Sequence, residues 1–122
     1  MCRNLTLLAK NDRRQMIFTC EHGSIHITHQ FTTILMSRHV FIQIAALFGQ
    51  DEMDTPYARM LGFRMEEAVK GQVDLWIGSG GFRLDEGDFR SLAALIQQSV
   101  CRLREAPHAR LEQEPPSLFS PN

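Results

Sequence analysis

One short stretch of the chain gathers side chains that bind transition metals: Cys20-x-His22-x-x-x-His26-x-x-His29. A thiolate and imidazoles at close spacing form the donor set of zinc or iron. His22, His26 and His29 are therefore the candidate metal ligands, with Cys20 beside them. Whether they can meet depends on the backbone that carries them. Met16 to Glu21 reads as a strand, His22-Gly23 as a two-residue hairpin turn, and Ser24 to His29 as the returning strand. That turn predicts Cys20 opposite Ile25 and Phe18 opposite Ile27. Cys20 then faces the core, His26 points to the opposite face, and His29 stands near the far end. On this register four donors do not converge within one chain, and a shared site would need a second protomer.

The surrounding elements repeat. Residues 24–50 and 72–98 align without a gap at an offset of 48, with identical pairs Phe41/Phe89, Ala45/Ala93, Ala46/Ala94, Leu47/Leu95 and Gln50/Gln98. Apolar positions match elsewhere, and Ser37 and Asp85, both favoured helix N-caps, coincide. Each unit reads as a hairpin followed by a helix. Breaks at Gln30-Phe31 and Gly78-Ser79 pair Ile27 with Ile34, Ile25 with Met36, Leu75 with Phe82 and Val73 with Leu84. On the second unit's other face the same register sets Asp74 against Arg83 and Trp76 over Gly81. Leu5 to Ala9 forms a further edge strand.

Val40, Phe41, Ile44, Ala45, Leu47 and Phe48 define the first helix. Phe89, Leu92, Leu95, Ile96, Val100 and Leu103 define the last, with Pro107 as its stop. Between them Thr55-Pro56 signals a helix start, and Tyr57, Met60, Leu61, Met65, Ala68 and Val69 fall at helical spacing up to Lys70-Gly71, although Gly62 weakens it. The expected architecture is α+β: an antiparallel sheet of five to six strands built from two ββα units, with helices mainly on one face. Residues 1–105 form the domain and 106–122 a proline-containing mobile tail.

Other motifs carry little chemistry. Gly78-Ser79-Gly80-Gly81 resembles a phosphate loop, but a strand follows it where a helix N-terminus is required. No Gly-x-Ser-x-Gly elbow is present. The acidic pairs Asp51-Glu52, Glu66-Glu67 and Asp85-Glu86 sit in loops or at helix ends. Thirteen basic against fourteen acidic side chains give a net charge of -1, which removes the global electrostatic case for nucleic acid. No apolar run is long enough to span a membrane, and Met1 to Asn4 carry no leader pattern. Three cysteines suit a reducing compartment, so the expected location is cytoplasmic.

The two units differ in one informative way. Helix one is apolar nearly all round, whereas Asp88 and Arg90 replace Val40 and Ile42 in the last helix. A helix apolar on every side must be covered on every side. The sequence therefore predicts a small non-catalytic interaction or regulatory module, homodimeric through Val40, Ile42, Leu35 and Trp76, with no cofactor and with room for another protein partner. The alternative is a metal- or small-ligand-binding protein using the Cys20, His22, His26 and His29 region with zinc or iron.

Overall fold

A computed structural model describes residues 2–48, 50, 53 and 55–113, with side chains described as far as residue 105 in the last helix. Four strands come first: β1 (Leu5–Lys10), β2 (Gln15–Cys20), β3 (Ser24–His29) and β4 (Thr32–Ser37), then helix α1 (Arg38–Leu47). The short helix α2 (Pro56–Met60) precedes β5 (Phe63–Glu67), β6 (Gln72–Ile77), β7 (Gly80–Asp85) and the long helix α3 (Glu86–Gln113). The α+β class holds, but the strands form two antiparallel sheets, β1-β2-β3-β4 and β5-β6-β7, where the sequence suggested one. The reason lies at the junction. β7 meets β4 through side chains, with Gly80 set directly against Ile34, so no hydrogen-bonded ladder joins the units.

The segment expected as a second helix divides into a one-turn helix and a strand. α2 starts on the Thr55 cap, whose hydroxyl accepts from the Ala58 N–H at 3.1 Å, and ends after one turn at Leu61. Gly62 then takes a φ of 82°, and its carbonyl accepts from the Gly78 N–H at 2.7 Å. A side chain at Gly62 would press on that same Gly78 nitrogen, 3.0 Å from the added carbon. From there β5 runs with Phe63 fully buried. Hairpin pairing with β6 and a left-handed glycine override the local helical spacing.

Both hairpins of the ββα units keep the expected register: Ile27 faces Ile34, Leu75 faces Phe82, Asp74 faces Arg83 and Trp76 faces Gly81. Both turns place a positive φ at their first residue, Gln30 (56°) and Gly78 (65°). Ser37 and Asp85 cap their helices, accepting from the Val40 N–H at 3.1 Å and the Asp88 N–H at 2.7 Å.

Side chains from both sheets, α1, α2 and α3 form one core that includes Ile17, Ile25, Ile27, Ile34, Phe41, Phe63, Leu75, Leu92 and Ile96. α1 is covered inside the chain by the four-stranded sheet and α3, with Gln97 of α3 donating to the Ala45 carbonyl at 3.0 Å. Tyr57 and Met60 of α2 are exposed. α3 continues through Pro107, where the sequence predicted a stop. A proline has no N–H for the carbonyl four residues earlier. Here that carbonyl, of Leu103, accepts instead from the Arg38 guanidinium at 3.1 Å. Residues 106–113 are thus helical, and the rest of the expected tail lies outside the described residues. Among the described residues no helix is long and apolar enough to cross a membrane.

Candidate metal centre

The turn between β2 and β3 decides the chemistry. The sequence predicts two turn residues, but the chain uses three. Glu21, His22 and Gly23 bridge the strands, the Gly23 N–H reaches the Cys20 carbonyl at 2.9 Å, and Gly23 has a φ of 81°. A three-residue loop closed by a left-handed glycine is a standard hairpin solution, and it moves the register by one. Thr19 therefore faces Ile25, Ile17 faces Ile27, and Phe18 faces His26. A one-residue slip turns every side chain to the other face. Cys20 leaves the core side, where the two-residue turn would put it, and joins His26 on the outer face of the sheet. It is 4 % exposed yet stands apart from the hydrophobic core cluster.

The N-terminal segment brings a second thiol. β1 lies antiparallel to β2 with Leu5 opposite Cys20 and Leu7 opposite Phe18. Continued three residues back, this register sets Cys2 beside the Glu21–Gly23 turn. Cys2 Sγ lies 3.4 Å from His26 Nε2 and 3.7 Å from His22 Nδ1, and Cys20 Sγ lies 3.9 Å from His22 Nδ1. Donor atoms of Cys2, Cys20, Glu21 and His22 all fall within 4.8 Å of one another. Zinc bonds of about 2.3 Å to sulfur and about 2.0–2.1 Å to nitrogen make the S···N edge of a tetrahedron roughly 3.6 Å. The three sulfur–nitrogen separations bracket that value.

Glu21 serves the site differently. Its carboxylate accepts from the Arg3 N–H at 2.8 Å and the Asn4 N–H at 3.1 Å, one bond to each oxygen. Those backbone bonds, with its own N–H, hold its pKa down to about 2. Glu21 thus clamps the segment that carries Cys2 over the turn. Burial pushes the Cys20 thiol up, but hydrogen bonds from Cys2 and His26 and from the backbone N–H groups of His22 and Ser24 outweigh it, leaving a pKa of about 6. The Cys2 thiol is raised, chiefly by its hydrogen bond to Cys20 and then by burial.

Of the residues read from the sequence, the fold brings Cys20, His22 and His26 together and leaves His29 out. His29 is buried on the core face, beside Gln15 and edge-on to Phe82 with ring centroids 5.7 Å apart. At about 3.3 Å per strand residue it stands more than 15 Å of backbone from the turn. Cys2 and Glu21 are the residues sequence reasoning missed. The signal for Cys2 was the β1–β2 pairing, whose continuation carries the thiol to the turn.

The remaining expected surface residues are spread over separate faces. Val40 and Ile42 are half-buried and pack against the core cluster. Leu35 is 58 % exposed on the same outer face as His26. Trp76 lies on the second sheet, over Gly81, with the Arg64 guanidinium 5.5 Å from its ring centroid. Compared with known proteins, the chain matches no family model, no curated protein and no solved structure.

Proposed function

We propose that this protein is a small, non-catalytic regulatory module that holds one zinc ion on Cys2, Cys20, His22 and His26. The observation that carries the reading is the approach of both thiols and both imidazoles around one turn, at sulfur–nitrogen separations of 3.4, 3.7 and 3.9 Å. Two sulfurs and two nitrogens in a tetrahedron select zinc among common divalent ions. Four protein ligands close the coordination sphere, which suits a structural or regulatory ion better than a catalytic one. Thiolate ligation also suits a reducing, cytoplasmic setting. Untagged protein purified under reducing conditions is expected to contain stoichiometric zinc by elemental analysis, and cobalt substitution is expected to give a tetrahedral thiolate spectrum. Metal-free protein that takes up neither ion overturns the proposal.

A second reading rests on a separate observation. Leu7, Phe18, His26 and Leu35 form one cross-strand row on the outer face of the four-stranded sheet, and Leu5, Leu7 and Leu35 are substantially exposed there. The row contains no Asp, Glu, Lys or Arg, so a second copy of the chain packed about a two-fold axis meets no like-charge repulsion. Self-association through this face is expected as a dimer mass in light scattering that Leu35→Lys returns to monomer. A wild-type monomer at every concentration tested removes it.

A further inference from the structure

The same turn holds two sulfurs close enough to react with each other, and a reaction between them would remove half of the ligands. From this geometry, and resting on the zinc reading above, we infer that Cys2 and Cys20 form a peroxide-sensitive thiol pair whose oxidation to a disulfide releases the zinc ion. Three observations support it. The Cys2 and Cys20 sulfurs lie within 4.8 Å of one another. Cys2 is the half-exposed member and Cys20 the buried one, so an oxidant from solvent meets Cys2 first. The Cys2 segment reaches the turn through two backbone bonds to the Glu21 carboxylate, without a core side chain of its own, so the last step to bonding distance needs no rearrangement of the core.

The chemistry balances with a two-electron peroxide oxidant. In the zinc-loaded protein both ligating sulfurs would be thiolates; the Cys2 thiolate attacks one oxygen of hydrogen peroxide, the O–O bond breaks, and sulfenic acid and hydroxide result. The Cys20 thiolate then attacks that sulfur, forming the S–S bond and expelling a second hydroxide. Two thiolates have lost two electrons and the peroxide has gained them. His22 and His26 remain as the sole nitrogen donors, and two imidazoles do not retain zinc against a chelator. A reducing dithiol reverses the process by exchange and restores both ligands.

Cys101, the third cysteine, is exposed and is replaced by serine in the test protein so that only one pairing is available. Zinc-loaded Cys101→Ser protein is treated with hydrogen peroxide while a chromogenic chelator reports free zinc, and peptide mapping locates any disulfide. The expected result is stoichiometric zinc release together with a Cys2–Cys20 bond, and zinc rebinding after dithiol reduction. In Cys2→Ser, a change outside the core cluster, peroxide is expected to leave no intramolecular disulfide, with circular dichroism confirming the fold. Zinc that stays bound under peroxide, or leaves while both cysteines become sulfinic acids without an S–S bond, overturns the inference and leaves the zinc site standing. Absence of zinc from the reduced protein fails earlier, and sinks the metal reading itself.

Discussion

His26 and His29 are three residues apart on β3, and strand alternation sends them to opposite faces. His26 lies among thiols at the turn, half-exposed, with Cys2 Sγ 3.4 Å from its ring. His29 lies 4 % exposed at the far end, where the Gln15 side-chain amide stands 3.2 Å from Nδ1. The same Gln15 amide donates to the Asp88 carbonyl at 3.0 Å and accepts from Asn11 at 2.7 Å. Its other N–H points at His29, so Nδ1 accepts and the ring is neutral. Burial lowers the His29 pKa, with Asp88 and Asp85 pulling weakly the other way. One histidine is thus open to a cation, and the other is held uncharged as part of the core. Residue type alone makes them equivalent, and the face of the strand separates them.

That contrast can be broken from either end. The largest effect is expected at the turn: Cys20→Ser or His26→Ala removes a zinc ligand and lowers zinc affinity by at least a hundredfold in a competition titration, whereas His29→Gln leaves it unchanged. Equal losses from all three would erase the distinction. Next, Gln15→Ala strands His29 and the Asp88 carbonyl in a buried site, and should cost about 2–3 kcal/mol in denaturant unfolding with zinc stoichiometry intact.

A pH series sharpens the same point. Because the folded protein favours neutral His29, its contribution is complete above the unfolded pKa near 6.5 and is lost as pH falls from there through the lowered folded value. The wild-type protein should therefore lose stability on the acid side more steeply than His29→Gln; parallel curves would place the titration elsewhere. Glu21→Gln tests the clamp. It weakens the two bonds to Arg3 and Asn4 without removing a ligand, so a drop in zinc affinity of roughly tenfold is expected, well short of the Cys20 variant. The smallest change concerns the turn beyond His29. Gln30 adopts the left-handed φ that Gly78 takes in the second hairpin, so Gln30→Gly should stabilise by about 0.5 kcal/mol, read as a small rise in thermal midpoint.

Much of this frame was legible in the residues. The ββα hairpins, their registers and the caps Ser37 and Asp85 follow from alternation, turn chemistry and capping preference, all of which act over a few residues. The hairpin β2–β3 was misread by one position because His22-Gly23 looks like a two-residue turn, while the left-handed Gly23 in fact closes a three-residue one. That single residue reversed the facing of Cys20. Residues 56–70 begin as the expected helix and then change to strand, because helical spacing does not register the left-handed Gly62 or the β5–β6 hairpin that follows it.

By itself the sequence determined which donors exist, that they cluster near one turn, and that the chain builds antiparallel hairpins followed by helices. Only the tertiary structure decided that Cys20 faces outward, that Cys2 arrives from a neighbouring strand, that His29 is excluded and that α3 covers α1. The physical reason is the reach of each signal. Alternation and capping are written within a few residues, whereas facing and convergence depend on register between strands, where one added turn residue changes every partner.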